Sequence, residues 1–137
     1  MVRRSLVVMA IATAAAAVSG CGRDGDRAEA RAVADRFFAA LRQDDGQAAC
    51  AELSTGTRAE LESQEGEPCR QAIGSAGLQP ARVLRVQVFI TNAKADLSGG
   101  ESVFLDQGPD GWELSALGCK PEGGEPADRP YDCEVQA

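Results

Sequence analysis

Five cysteines, Cys21, Cys50, Cys69, Cys119 and Cys133, carry the most distinctive chemistry of this 137-residue chain, and the absence of histidine limits what they can do. Without an imidazole there is no Cys-His or Ser-His pair, and the commonest general base and commonest neutral metal ligand are both missing. None of the cysteines is spaced C-x-x-C. That removes the paired knuckle of a structural zinc site and the usual means of lowering a thiol pKa. No metal and no cofactor are therefore expected. Setting Cys21 aside leaves an even set, the pattern of disulfides in an oxidising compartment. Of the three connectivities open to four cysteines, Cys50–Cys69 with Cys119–Cys133 closes the shortest loops. Each bridge adds about 3 kcal/mol in the chain-entropy account, a large share of a small domain's stability.

The other reactive groups are carboxylates. Asp96 and Asp106 fall on expected strands, and either can serve as a general base if it is held inward, away from water, with a raised pKa. The pairs Asp24/Asp26 and Asp44/Asp45 offer oxygen ligands for calcium. They lack the alternating ligands and distant glutamate of a dedicated loop, so helix capping and solubility are their expected roles. Ser98-Gly99-Gly100 joins two strands and opens no helix, unlike a phosphate-cradling loop. Arg85 is placed to pair with Asp96 across the sheet. Phe37, Phe38 and Trp112 are the side chains able to line an apolar pocket, although the same periodicity suits a helix packed on a sheet.

The elements that position these residues follow from their spacing. Ala30, Val33, Ala34, Phe37, Phe38 and Leu41 recur at helical steps from Ala28, with Asp26 as the expected cap and Asp44-Asp45-Gly46 as the stop. A short helix is expected over Gln47 to Leu53. Another is expected from Thr57-Arg58-Ala59-Glu60, which has capping-box spacing, and a third over Cys69 to Ala76 behind Pro68. A Cys50–Cys69 bridge would staple these segments, each too short to be stable alone. After Gly77 the period becomes two. Leu84, Val86, Val88 and Ile90 are expected on one face of a strand, with Arg85, Gln87 and Phe89 on the other. Strands over Ala93 to Leu97, Ser102 to Asp106 and from Trp112 through Leu114 and Ala116 complete an antiparallel meander, because the connections are too short for crossovers. Lys120 to Pro130 is expected to be irregular. Tyr131 to Val135 should then lie beside the last strand, held by Cys119–Cys133.

Ahead of this domain, Arg3 and Arg4, the apolar run Leu6 to Ala17 and the small residues before Cys21 form the three regions of a secretory signal. The run is too short to span a bilayer, which needs about 20 apolar residues. Val18-Ser19-Gly20-Cys21 resembles the bacterial lipobox, whose cysteine is diacylated and becomes the new first residue. The resemblance implies Cys21 as the lipidation site, with two acyl chains supplying stable anchoring. The expected organisation is a signal peptide at 1–20, a lipidated tether at 21–27 and one α+β domain at 28–137, held at the cell membrane and facing away from the cytoplasm.

All 21 acidic residues lie beyond the leader and two of the 14 basic ones within it, so cleavage leaves 12 basic residues against 21 acidic, a net charge of −9. So acidic a chain lacks the basic stripe that phosphate backbones require, and nucleic acid is excluded as a partner. The same field repels anionic headgroups, so membrane contact is expected through the acyl chains alone.

A long amphipathic helix, short helices and a curled antiparallel sheet of about four strands resemble the cystatin-like cone shared by ketosteroid isomerase and the nuclear transport factor two superfamily. Phe37-Phe38-Ala39-Ala40-Leu41, Asp45-Gly46-Gln47-Ala48-Ala49-Cys50, Gly111-Trp112-Glu113-Leu114, Gly118-Cys119 and Tyr131-Asp132-Cys133-Glu134-Val135 resemble small actinobacterial lipoproteins of unknown function. The isomerase relatives imply an acid–base carboxylate with tyrosine or protonated-acid donors in the cone. Here Asp96 and Asp106 are the carboxylates and Tyr131 the sole tyrosine, but no residue matches a catalytic motif. The expected function is a non-catalytic lipoprotein domain that binds an envelope protein or a small apolar ligand. The alternative is an isomerase- or dehydratase-like enzyme with Asp96 or Asp106 as base.

Overall fold

A computed structural model describes residues 22–123 and 131–137. The expected signal peptide, the expected lipidation site Cys21 and the tail segment 124–130 lie outside the described residues. Among the described residues the fold is α+β, with four helices and an antiparallel sheet that does not close on itself.

Helix α1 spans Arg23–Arg42. It starts five residues before the expected Ala28, so the segment expected as a tether is its first turn and more. Asp24 and Asp26 there complement the positive helix end, and Arg27 Nη1 donates to Asp24 Oδ1 at 2.6 Å, one turn apart. Gly22, not Asp26, occupies the N-cap. Helix α2 spans Gly46–Ala51, capped by Asp45, whose carboxylate accepts from Ala48 N at 3.0 Å. Gly46 admits the chain at Arg70, because a Cβ there would run into the Arg70 carbonyl. Helix α3 spans Thr55–Glu65 and is capped by Ser54, three residues before the expected capping residue Thr57. Thr57, expected to open that helix, instead lies fully buried and shares a 2.8 Å hydrogen bond with Ser54 Oγ. Helix α4 spans Cys69–Ser75 behind Pro68.

Cys50 and Cys69 are bridged, joining α2 to α4. This is the expected staple, and it locks together helices of 6 and 7 residues that cannot persist alone.

The sheet runs β1 (Val83–Phe89), β2 (Asn92–Leu97), β3 (Ser102–Gly108) and β4 (Gly111–Pro121), each antiparallel to the next. Two further two-residue strands, β5 (Tyr131–Asp132) and β6 (Val135–Gln136), both pair with β4. The sheet is therefore wider than the four strands expected. Cys119 and Cys133 are bridged, fixing this tail to β4.

One register expectation is corrected. A bulge between Val83 and Arg85 shifts the pleat, so Val83 and Val86 face the core while Leu84 is 60% exposed. Ile90, expected on the inner face, lies in the β1–β2 turn at φ 56 and is 82% exposed.

The core lies between the helices and one sheet face. Val33, Phe37 and Phe38 of α1 meet Ala93, Ala95 and Leu97 of β2, Leu105 of β3, and Trp112 and Leu114 of β4. The Phe37 and Phe38 rings make a T-shaped pair with centroids 5.2 Å apart. At the far edge Leu53 bridges to Leu114, with Ser54 N donating to the Leu114 carbonyl and Leu114 N to the Glu52 carbonyl, both at 2.9 Å.

Candidate functional site

Strand alternation sends Ala93, Ala95 and Leu97 into the core, so Asn92, Lys94 and Asp96 must point from the opposite, helix-free face. Cross-strand pairing then sets Arg85 and Ser102 beside Asp96, Gln87 and Phe104 beside Lys94, and Asp106 beside Asn92. Bulges where β4 meets β3 place Ala116 opposite Phe104 and Cys119 opposite Ser102, on this same face. Gly118, at φ 61, permits the distortion, since a β-carbon there would collide with the Glu134 side chain. The bridge to Cys133 brings the tail across, and with it Tyr131.

Asp96 is the hub of a polar network. Arg85 Nε lies 3.2 Å from Oδ2, Lys94 Nζ 3.1 Å from Oδ1, and the Ser102 hydroxyl donates to Oδ1 at 3.1 Å. Partial burial pushes this carboxyl up, but hydrogen bonds and charge from Lys94, joined by Arg85 and Ser102, outweigh it and hold Asp96 below its ordinary value. That is the opposite of what a general base needs. Lys94 is affected in the matching sense: burial lowers its pKa, while the Tyr131 hydroxyl and Asp96 raise it above the ordinary value. Lys94 Nζ donates to the Tyr131 hydroxyl at 3.1 Å and lies 5.5 Å from its ring centroid. The Tyr131 ring meets Phe104 edge-on at 5.1 Å.

Beside this cluster opens a cavity of about 390 Å³, walled by Asn92, Phe104, Asp106, Ser115, Tyr131 and Cys133 among others. Asp106 is exposed, accepting from Asn92 Nδ2 at 2.6 Å. The cavity offers one aromatic wall, one carboxylate and several amide and hydroxyl groups, the set that orients a small polar ligand. Among the described residues no three acidic or cysteine side chains converge to hold a metal ion.

No family model, curated protein or solved structure matches this chain.

The two aspartates singled out from the sequence thus share the open face, with Asp106 in the cavity wall and Asp96 tied into ion pairs. The expected Arg85–Asp96 pair is present. Phe37 and Phe38 are buried in the core and line no part of this cavity; Trp112 is buried too but lines a separate cavity of about 380 Å³ with Arg36, Glu52 and Arg58. The Trp112 indole N–H has no hydrogen-bond partner among the described residues. Sequence reasoning does not find Lys94, Phe104 and Tyr131 as a group. Lys94 and Asp96 alternate with alanines along one strand, which marks an outward polar pair. Tyr131 stands two residues before Cys133, so the bridge carries it to β4; no sequence signal shows which strand's side chains it then meets.

Proposed function

We propose that this protein is an extracytoplasmic, lipid-anchored binding domain whose ligand site is the cavity on the open sheet face. The observation that carries the reading is the pair of bridges, Cys50–Cys69 and Cys119–Cys133, in a chain whose fifth cysteine, Cys21, follows a signal-like leader. Disulfides persist in oxidising compartments, and the resemblance of Val18-Ser19-Gly20-Cys21 to the lipobox supports acylation at Cys21 behind that leader. The long first helix, short helices and curled antiparallel sheet support a cystatin-like cone.

Binding is favoured over catalysis because Asp96 is stabilised as a carboxylate and Asp106 stands in water, so neither aspartate meets the conditions for a base. A small polar ligand suits the cavity better than the apolar one expected from the sequence, since Asn92, Asp106 and Ser115 line it. Replacing Cys21 with Ser tests the anchor: the wild-type chain should carry acyl mass and sediment with membranes, and the variant should lack that mass. Native mass spectrometry of protein extracted from its own membrane tests the site. A small mass that leaves on unfolding, and is lost in Phe104→Ala, supports the cavity; a chain carrying acyl groups alone counts against it.

A further inference from the structure

Among the described residues the exposed large apolar side chains are Leu84, Phe89 and Ile90, at 60%, 55% and 82%, and all three belong to β1 and its turn. β1 ends the sheet on one side, with no further strand paired to it among the described residues. Ile90 sits at φ 56, at the first position of a two-residue turn flanked by the paired Phe89 and Asn92. Glycine normally fills a positive-φ position of this kind. A β-branched residue there is strained, and its exposure recovers nothing from the core.

Charge is segregated toward the same edge. From Arg82 to Asp96 the sequence holds Arg82, Arg85 and Lys94 against a single acid, Asp96, within a chain of net charge −7. Arg82 is exposed and the Arg85 side chain is 65% exposed. Asp96 is shared by Arg85 and Lys94 and offsets one of these charges, so with the exposed Arg82 the edge is left net positive as well as apolar, unlike the chain as a whole.

The route of the chain says what can reach it. Because α1 begins at Arg23, a single residue, Gly22, separates it from Cys21, and no tether holds the domain away from an anchored cysteine. Arg31 Nη2 donates to the Val83 carbonyl at 2.7 Å and Arg42 Nη1 to the Ala81 carbonyl at 3.0 Å. The helix thus meets β1 in reverse order, and the Phe89-Ile90 end of β1 points toward the end of α1 that follows Cys21.

We infer that the β1 edge and its Phe89-Ile90 turn form a second membrane contact, with the two apolar side chains entering the interface of an anionic bilayer and Arg82 and Arg85 facing its phosphates. This rests on the lipid-anchored reading above. Two acyl chains already suffice to anchor the chain, so the patch would add anionic-lipid attraction and fix the orientation of the domain.

The test is Phe89→Trp in the mature chain, reconstituted into phosphatidylglycerol-containing vesicles that carry brominated acyl chains. The expected result is quenching of the introduced indole beyond the wild-type signal, whose buried Trp112 is shielded. The contact constant read from the quenched fraction should fall about five-fold for each of Arg82→Gln and Arg85→Gln. It should also weaken in about 1 M salt, where the Debye length shrinks to about 3 Å. An anchored Phe89→Trp chain whose added fluorescence is not quenched overturns the inference. So does a concentration-dependent dimer that shields the introduced indole from brominated lipid, which would assign the edge to a second copy. If intact mass shows no acyl groups, the anchoring reading fails separately. The chain is then added to the same vesicles: quenching supports the contact without the anchor, and its absence overturns it.

Discussion

The two faces of one sheet have opposite physics. On the helical face Phe37, Phe38, Leu105 and Leu114 exclude water, and the contacts are non-directional, so their energy scales with buried area. On the open face Arg85, Lys94, Asp96, Ser102 and Tyr131 meet through hydrogen bonds and ion pairs that remain partly solvated and contribute little to stability. Stability and specificity are therefore separated across the sheet, and chemistry at the cavity can change without loss of the fold.

The largest test of that separation is Phe37→Ala, which should cost about 3–5 kcal/mol by urea unfolding, against well under half of that for the partly exposed Phe104→Ala. Equal losses would show that the open face is also core. Next come the bridges. Replacing Cys50 and Cys69 with Ser, or Cys119 and Cys133 with Ser, should each cost about 3 kcal/mol, since the sequence separations are a similar 19 and 14 residues. The second pair should also release Tyr131 from Lys94 and abolish any ligand seen by native mass spectrometry, while the first should leave the ligand in place.

A smaller effect is expected at Trp112. Phenylalanine there gives up buried area but removes an indole N–H without a partner, so Trp112→Phe should change stability by less than about 1.5 kcal/mol. A loss of about 3 kcal/mol or more would mean that the N–H is satisfied in solution. Smallest is the titration of Asp96. Its folded pKa is depressed, so its contribution is complete above its ordinary pKa, near pH 4, and is lost as pH falls through the lower folded value. Asp96→Asn should flatten that step in the acid unfolding curve by under about 1 kcal/mol.

The helical face was largely legible in the chain. Ala30, Val33, Phe37 and Phe38 keep helical spacing, and Ala93, Ala95 and Leu97 alternate, because one-sided burial imposes a period on the residues that undergo it. The open face was legible only in pairs such as Arg85 and Asp96, since solvated residues obey no comparable period. Structure and sequence pattern part where a local rule is overridden. Leu84 and Ile90 follow the period-two pattern, but the bulge at Val83/Arg85 turns one outward and the turn claims the other. Gly22 to Arg27 has the glycines and charges of a linker, yet two acids in the first turn and continuity with a well-packed helix make it helical from Arg23.

Residue identity and short-range spacing were enough for the α+β class, the antiparallel meander and the exclusion of imidazole chemistry, and they favoured the sequential bridging by its short loops. It took the tertiary structure to show that Tyr131 sits on Lys94 and Phe104, that Asp96 is stabilised as an ion, and that Leu84, Phe89 and Ile90 are left exposed. These features come from residues as many as 37 positions apart in the chain, brought together by strand register, two bulges between β3 and β4 and a disulfide. Nearest-neighbour periodicity carries no record of such pairings, because the contacts that create them form only when the strands align.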